Sequence, residues 1–379
     1  MRFVKTVAAG VTLAAIAFGA QAQTPGVSAS TILIGQSVPL TGANAELGHD
    51  IRNGALAFFA KLNEAGGVHG RRIELVSLDD ANQVPRAEAN TIELVEKRNV
   101  FALFGYASAT LSRPALPTVE KHRVPFLSPF TGADPMRVFN KQVYNMRGSY
   151  AEELEKIVDH FEPLGLKRFS IVHYDDVVGK ENLTAVERAL KKRNLAVVSV
   201  AAWKDRAKPD IEGGLKEVMK GQPDVVILTT LYKATADFVR AAKKAGFHAQ
   251  MASNSFPGAS PLAKELGADG AGLIVATVVP PPTKRSQAIV QEYQAAIEKQ
   301  LGKKEFSFTS LESYIAAKVT AEAMRRAGQN LTRESFQKAL DGMKGYDAGG
   351  YIVNFSPTDH NGSSFVELTV LGRDKKYSY

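Results

Sequence analysis

The sequence contains no cysteine, and it has no apolar run long enough to cross a membrane. Without cysteine the chain forms no disulfides, no metal–thiolate sites and no thiol nucleophile. It therefore also lacks the cysteine that is acylated at the cleavage site of a bacterial lipoprotein. The apolar segment from Val7 to Ala20 is too short to span a bilayer. Stability must therefore come from packed hydrophobic cores.

Residues 1–22 have the pattern of a cleaved secretory signal. Arg2 and Lys5 supply positive charge, the apolar segment follows, and an Ala-x-Ala motif ends at Ala22. We expect cleavage between Ala22 and Gln23, which delivers a protein without a membrane anchor to the periplasm. The remaining chain is large for one core and of a natural size for two domains.

The formal net charge is +8, but the basic residues are dispersed along the chain. They occur in segments such as "ERALKKRN" and "RAAKKAG", whose pattern is typical of solvated helix faces. The sequence has no basic run interleaved with aromatic residues, which would favour nucleic-acid binding. We therefore expect no nucleic-acid partner.

Hydrophobic periodicity predicts alternating strands and helices in two successive units. In the first unit, the strand-like segments "TILIGQSVP", "RIELVSLD", "VFALFG" and "VPFLSPF" alternate with helical patterns. The alternation begins again after residue 150. Such a series requires parallel sheets covered by helices. The sequence therefore predicts an α/β protein of two Rossmann-like lobes.

The C-terminal segment departs from this alternation. Two long helical patterns, "SQAIVQEYQAAIEKQLG" and "SFTSLESYIAAKVTAEAMRRAG", precede two strand-like runs. Asn361 and Gly362 lie between those runs, and this dipeptide is typical of a hairpin turn. We therefore expect a β-hairpin there.

Residues 103–110, "LFGYASAT", join a short apolar strand to the start of a helix. The segment lacks the lysine and the spacing of a P-loop, and it is not a G-x-S-x-G nucleophile turn. A strand end that opens a helix presents free backbone N–H groups, which favour an anion. Ser108 and Thr110 add hydroxyl donors. Capping of the helix by either hydroxyl is the alternative.

Catalytic and metal sites find little support in the sequence. The seven histidines have no H-x-x-x-H spacing. Asp79-Asp80 and Asp175-Asp176 each follow a strand, but consecutive residues point to opposite faces of a strand. Surface and turn roles are therefore favoured over a catalytic dyad. We expect neither an enzyme nor a cofactor.

The chain contains short motifs in a defined order: "PLTG", "NEAGGVHGRRIEL", "VFALFGYASAT" and "SPFTG". In this order they resemble the leucine/isoleucine/valine-binding protein family of periplasmic solute receptors, and the likeness extends from about residue 31 to the C-terminus. The resemblance implies the type I periplasmic-binding fold, in which a three-stranded hinge joins two lobes that close on a small molecule. It also implies a monomer that delivers its ligand to the inner-membrane permease of an ATP-driven (ABC) importer. A sensory module that presents ligand to a membrane receptor is the alternative.

The resemblance also implies the domain organisation. Lobe one comprises residues 23–147 plus 277–349, and lobe two comprises residues 148–276 plus 350–379. The pocket is expected where the carboxyl ends of the strands of both lobes face each other.

In this family, the loops that match "GYASAT" and "SPFTG" hold the ligand's carboxylate through hydroxyls and backbone N–H groups. The resemblance assigns this role to Ser108, the backbone of Ala109, Thr110, Thr131 and the backbone of Gly132. The match of "GYASAT" to the family motif can be shifted by one residue. It therefore does not say which of Ser108 and Thr110 leads in carboxylate binding.

Two aromatic walls of the amino-acid-binding members are missing from this sequence. Leu47 and Val178 stand where those members often place tyrosines. Phe130, Tyr232 and Phe256 remain candidates to line the cleft, with core packing as the alternative.

Asn254 stands where amino-acid-binding members carry the acid that pairs with the ligand's α-ammonium. An amide cannot neutralise that charge, which favours a carboxylate ligand without an ammonium, such as an aromatic or aliphatic organic acid. The competing hypothesis keeps an amino acid and takes the acid from elsewhere in the cleft, for example from Asp175 or Asp176.

Overall fold

The computed structural model describes residues 24–42, 44–374 and 377–378. The predicted secretory signal lies outside the described residues. Within the described ranges, no helix is long and apolar enough to cross a membrane.

The first unit forms a five-stranded sheet. Its strands are β1 (Thr31–Val38), β2 (Arg72–Asp79), β3 (Ala102–Phe104), β4 (Phe126–Leu127) and β5 (Val143–Tyr144). The order is β2-β1-β3-β4-β5, and every pair is parallel. The short strands β3 and β4 are buried along their whole length, as expected for parallel strands covered on both faces.

In the described part of the chain, four helices lie between consecutive strands of this sheet. They are α1 (Ala45–Glu64), α2 (Val84–Ile92), α3 (Ser108–Ser112) and α4 (Leu116–Lys121). A π-helical turn, Glu93–Lys97, extends α2, and a 3-10 turn, Arg113–Ala115, joins α3 to α4. Pro85 lies in the first turn of α2, where its missing N–H has no helical partner to lose.

The second unit forms a seven-stranded sheet of mixed direction. Its strands are β6 (Phe169–Tyr174), β7 (Val197–Trp203), β8 (Val225–Thr229), β9 (Gln250–Ser253), β10 (Ile274–Thr277), β13 (Glu367–Leu371) and β14 (Tyr377–Ser378). Strands β6 to β10 are parallel, as predicted, whereas β13 pairs antiparallel with both β10 and β14. The helices between the parallel strands and before them are α5 (Tyr150–Phe161), α6 (Val177–Lys191), α7 (Ile211–Lys220), α8 (Tyr232–Lys244) and α9 (Ala259–Leu266).

The two long predicted C-terminal helices return to the first unit. The helices of this segment are α10 (Ala288–Leu301), α11 (Phe308–Ala327) and α12 (Arg333–Asp341). Helix α11 packs closely on α1 at Gly54. A Cβ atom on Gly54 would lie only 2.0 Å from the carbonyl oxygen of Ser310, so only glycine allows this approach. The Ser313 hydroxyl donates to the carbonyl of Ile51 at 2.6 Å. These two contacts fix the face that α11 turns toward α1.

The predicted hairpin at Asn361 and Gly362 is wrong. The strand before this dipeptide, β12 (Ile352–Val353), pairs with β11 (Tyr346–Asp347), and β13 pairs with β10 and β14. The Gly362 N–H donates instead to the carbonyl of Asn145 at 2.8 Å. A Cβ atom at Gly362 would lie 2.7 Å from the Phe355 ring. Glycine is therefore needed for close approach, and not for a two-residue turn.

The chain passes between the two sheets three times. It leaves the first sheet after β5, returns to the first unit after β10, and leaves it again after α12 to form β13. Three such passages between two lobes are what the family resemblance implies. The exact lobe boundaries, 23–147 plus 277–349 and 148–276 plus 350–379, remain a prediction.

Candidate functional site

A cavity of about 170 Å³ lies at the carboxyl ends of the parallel strands of both sheets. We call it the central cavity. Its wall includes segments that follow β3, β4, β8, β9 and β10, together with the first turns of α11. The lining residues include Leu47, Ser108, Thr110, Phe130, Arg147, Tyr150, Arg206, Ser255, Phe256 and Glu312. A dry cavity of roughly 150 Å³ holds one benzene molecule. The central cavity therefore suits one small organic molecule.

The loop between β3 and α3 forms one wall of the central cavity. Gly105 and Ser108 both have left-handed backbone conformations, with φ of 64° and 68°. The Ser108 N–H donates to the carbonyl of Phe130 at 3.2 Å, and the Phe130 N–H donates to the carbonyl of Tyr106 at 2.8 Å. These bonds hold the two predicted ligand loops side by side, with Ser108, Thr110 and Phe130 lining the cavity. Leu47 also lines it.

Thr131 and Gly132 lie beneath this wall and do not line the cavity. The Thr131 oxygen accepts the Ala133 N–H at 3.1 Å. The Thr131 hydroxyl and the Gly132 backbone also interact with the hydroxyl of Tyr150, which is itself a lining residue. Gly132 leaves room for that ring, since a Cβ atom there would lie 2.7 Å from Tyr150 Cδ1. Both residues therefore contact a lining residue, Tyr150, and not the cavity itself.

Ala109 and Val178 line a neighbouring groove, which we call the side groove. It is bounded by segments of α3, α4 and the start of α6, and it shares Thr110 and Arg206 with the central cavity. Asp176 also lines it; its carboxylate accepts the Gly179 N–H at 2.9 Å and pairs with Arg206 Nε at 2.9 Å. Neither Asp176 nor Asp175, which pairs with Lys180 at 2.9 Å, lines the central cavity.

Tyr232 and Asn254 also lie outside the lining of the central cavity. Tyr232, the first residue of α8, is 8% exposed and packs in the hydrophobic core. Asn254 is fully buried, and its Oδ1 accepts the Phe256 N–H at 3.4 Å. The next two residues, Ser255 and Phe256, do line the cavity. The identity of residue 254 is therefore a weak guide to the ligand's charge.

The sequence interpretation missed a buried charged network at the cavity wall. Arg147, between β5 and α5, contacts the Ser255 hydroxyl through Nη2. Ser255 in turn donates its N–H and its hydroxyl to Glu153 of α5, at 2.6 and 2.8 Å. Arg147 Nε lies 3.5 Å from Oε1 of Glu312 on α11. We call these four residues the Arg147 network.

One sequence signal for this network was available. Glu312 lies on the stripe of α11 that contains Phe308, Leu311 and Ile315, all of which are buried. An acid at a position whose helical spacing predicts burial requires a partner. Arg147, which is 4% exposed, is that partner, but its distance along the chain hides the pairing.

Burial dominates the electrostatics of the network. It raises the pKa of Glu153 to about 7, although Arg147 and the two bonds from Ser255 act in the opposite direction. Burial also raises the pKa of Glu312, against the attraction of Arg147. Burial would lower the pKa of Arg147, but the neighbouring carboxylates, Glu312 first, raise it overall. Arg147 is therefore a permanent buried cation between two carboxyl groups.

The described residues contain no group of three or more histidine, aspartate or glutamate side chains that could hold a metal ion. The central cavity instead combines hydroxyls, one aromatic hydroxyl, two guanidinium groups and one carboxylate. This set can bind the polar ends of a small molecule between apolar walls, the usual composition of a ligand pocket.

The model of a family described as "periplasmic binding protein" matches residues 31–375. The chain belongs to the periplasmic binding protein family. Its two sheets and three passages confirm the predicted type I periplasmic-binding fold. The family and the fold are those of solute-binding proteins.

Three relatives illustrate the similarity. The leucine-, isoleucine-, valine-, threonine-, and alanine-binding protein of Pseudomonas aeruginosa is 23% identical over 349 residues, which cover 88% of this chain and 90% of that protein. The crystal structure of a substrate-binding periplasmic protein from Ralstonia solanacearum is similar with a TM-score of 0.84 and 30% identity, covering 90% of this chain and 98% of its own. A structure titled as a possible leucine/isoleucine/valine-binding protein from Rhodopirellula baltica SH 1 gives a TM-score of 0.86 and 27% identity, covering 94% and 98%.

Proposed function

We propose that this periplasmic binding protein is the solute receptor of an ABC importer and captures a small carboxylate-bearing ligand, an amino acid or an organic acid, in the central cavity. The observation that carries the proposal is the convergence of polar side chains from both units on one small cavity. Ser108 and Thr110 reach it from the first unit, Ser255 and Arg206 from the second. A hydroxyl donating to a carboxylate stabilises a complex by about 1.5–3 kcal/mol, so two such bonds suffice to orient the ligand.

Closure of two lobes is the mechanism we propose for capture. Lobe one comprises residues 23–147 plus 277–349, and lobe two comprises residues 148–276 plus 350–379. The packing of α11 on α1 supports the assignment of the C-terminal helices to lobe one, and the pairing of β13 with β10 supports that of the last strands to lobe two. A ligand that contacts both lobes favours the closed state by its extra affinity for that state.

The receptor acts in the periplasm as a monomer and delivers its ligand to an inner-membrane permease. The Pseudomonas relative, named for binding leucine, isoleucine, valine, threonine and alanine, supports amino acids as one ligand class. A sensory module is the second candidate, because the same closure would present ligand to a membrane receptor. Genes for a permease and an ATPase beside this one favour transport.

A thermal-shift screen tests the proposed function. The screen contains amino acids, their deaminated acids, aromatic acids and dicarboxylates, with the matching amides as controls that lack a carboxylate. A ligand at 100 times its dissociation constant adds about 2.7 kcal/mol to the free energy of unfolding, so a true ligand raises the melting temperature by several degrees. Mass analysis after incubation should recover the ligand unchanged. Stabilisation by the amides as large as that by the acids would contradict the proposal, and so would turnover of the ligand.

A further inference from the structure

Arg206 borders both spaces that lie between the two units. It follows β7 in the second unit and lines the central cavity as well as the side groove. Among the described residues, only Thr110 of the first unit also lines both spaces. The Arg206 side chain keeps 33% of its surface accessible, so it is not sealed in the protein interior. A cation of one unit and a hydroxyl of the other unit thus share one boundary of the cavity.

Two contacts hold the Arg206 guanidinium in place. Its Nε and Nη2 donate to Oδ2 of Asp176 at 2.9 and 2.5 Å, and Asp176 is itself fixed by the Gly179 N–H at 2.9 Å. The guanidinium carbon lies 4.8 Å from the centre of the Tyr174 ring, which is buried. The guanidinium is therefore held along one edge and on one face before any ligand binds.

The other edge of the guanidinium keeps free donors. A guanidinium carries five N–H groups in a planar fork, and the bonds to Asp176 use two of them. No other described residue accepts a hydrogen bond from Arg206, so the N–H groups of Nη1 and one of Nη2 remain. Arg147, the second guanidinium of the cavity wall, is 4% exposed and lies between two carboxyl groups. Arg206 is therefore the cation of the wall that has donors left for a further anion.

We infer that Arg206 binds the ligand's carboxylate from the second unit, while Ser108 or Thr110 binds it from the first. This inference rests on the proposed function and names a further specificity-determining residue for it. The two oxygens of a carboxylate accept several hydrogen bonds, so a hydroxyl and a guanidinium can share one carboxylate. Charge-assisted bonds are roughly twice as strong as neutral ones. Arg206 therefore makes the site prefer a charged carboxylate to its neutral amide.

Sharing of the carboxylate also couples ligand charge to closure. The hydroxyl and the guanidinium belong to different units, so both hold the same carboxylate only when the units are close together. A ligand shifts the equilibrium between open and closed states by its extra affinity for the closed one. The bond to Arg206 supplies part of that extra affinity. An amide of the same shape keeps the neutral hydrogen bonds and loses the ionic one.

Calorimetry with acids and their amides tests the inference. The pairs are leucine with leucinamide, 4-methylpentanoate with 4-methylpentanamide, and 3-phenylpropanoate with 3-phenylpropanamide. Each pair is titrated into the wild-type protein, Arg206→Met and Arg206→Gln. Both variants remove the charge, so either one suffices if the other does not fold. In the wild-type protein we expect the acid of at least one pair to bind at least tenfold more tightly than its amide, about 1.4 kcal/mol.

Two further variants separate a ligand contact from a merely structural ion pair. Asp176→Asn keeps the guanidinium, and asparagine caps a helix as well as aspartate does, so the start of α6 is preserved. Arg193→Met removes another arginine of the second unit that pairs with an aspartate, Asp159, and lines neither space. The preference for the acid should fall at least tenfold in the Arg206 variants and persist in Asp176→Asn and Arg193→Met.

The outcomes distinguish the inference from the proposed function. An unchanged preference in the Arg206 variants overturns the inference, and so does an equal loss in Asp176→Asn or Arg193→Met. In those cases the wild-type protein still prefers the acid, and the proposed function stands. If the wild-type protein binds no acid, or binds acids and amides equally, the proposed function itself fails.

Discussion

Arg147 Nε lies 3.5 Å from Glu312 Oε1, and both side chains are buried. Arg147 belongs to the passage between the two sheets, and Glu312 belongs to a helix packed on α1. The pair therefore ties a predicted crossing between the lobes to the wall of the central cavity. Because Glu153 shares the same guanidinium, changes in the charge of the network reach both the ligand site and the stability of the fold.

The first prediction concerns the pH dependence of stability. Burial raises the pKa of Glu153 from its usual 4.5 to about 7. Between these values the folded protein keeps a proton that the unfolded chain releases, so this group makes the free energy of unfolding decrease as pH rises from 4.5 to 7. The expected contribution is on the order of 3 kcal/mol.

Urea denaturation at pH 5 and pH 7.5 measures this contribution. Glu153→Gln removes the titrating group and should flatten the decrease, whichever way it changes stability at a single pH. Glu155→Gln is the control on the same helix, because a salt bridge to Lys192 lowers the pKa of Glu155 and its titration falls below this range. If the free energy of unfolding of Glu153→Gln decreases with pH as steeply as that of the wild-type protein, Glu153 does not titrate as described.

The second prediction concerns the contact between α1 and α11. Gly54→Ala places a methyl group 2.0 Å from the Ser310 carbonyl oxygen, so the helices must separate. We expect a loss of about 1–3 kcal/mol of unfolding free energy, although alanine is intrinsically the better helix former.

Gly342→Ala is the matched control for this contact. Gly342 has a φ of −84°. A Cβ atom at Gly342 would lie 3.4 Å from its nearest neighbour, the carbonyl oxygen of Lys338, which is an ordinary contact distance. Its stability should change by much less than that of Gly54→Ala. Equal melting temperatures for the two variants would argue against the close approach of the helices.

The third prediction concerns the proposed carboxylate donors. Ser108→Ala and Thr110→Ala each remove a hydroxyl from the cavity wall, and each should weaken carboxylate binding by roughly tenfold or more, from the loss of about 1.5–3 kcal/mol. Thr118→Val on α4 is the control, since Thr118 does not line the cavity. If calorimetry finds that the variant with both Ser108→Ala and Thr110→Ala binds as tightly as the wild-type protein, these hydroxyls do not bind the carboxylate.

The fourth prediction concerns export. The Ala-x-Ala motif ending at Ala22 and the absence of cysteine predict a mature protein that begins at Gln23 and carries no lipid. N-terminal sequencing of the periplasmic fraction should return the sequence that begins "QTPGVSAS". Retention of the protein in washed membranes, or incorporation of labelled fatty acid, would contradict this processing.

Local pattern was enough to predict most of the fold. The continuous apolar run that forms β1 and the stripe of period 3.6 that forms α1 are both visible in the local sequence. The family motifs added the two-lobe architecture. The prediction of a hairpin at Asn361 and Gly362 was wrong. The hydrogen bond from the Gly362 N–H to the distant Asn145 carbonyl outweighs the local turn preference of the dipeptide.

The site was predictable only in part. Four of the predicted site residues line the central cavity: Leu47, Ser108, Thr110 and Phe130. Phe256 lines it as well, whereas six do not: Ala109, Thr131, Gly132, Val178, Tyr232 and Asn254. At the end of a strand, a shift of one residue decides whether a side chain faces the cavity, as with Asn254 and Ser255. The Arg147 network joins residues far apart in the chain, and no local spacing encodes such a contact.

A crystal structure of the protein with the carboxylate that gives the largest thermal shift tests the central claim most directly. We expect the ligand in the central cavity, with its carboxylate within hydrogen-bond distance of the Ser108 or Thr110 hydroxyl. A ligand bound in the side groove or elsewhere on the surface, with the central cavity filled only by water, would contradict the account.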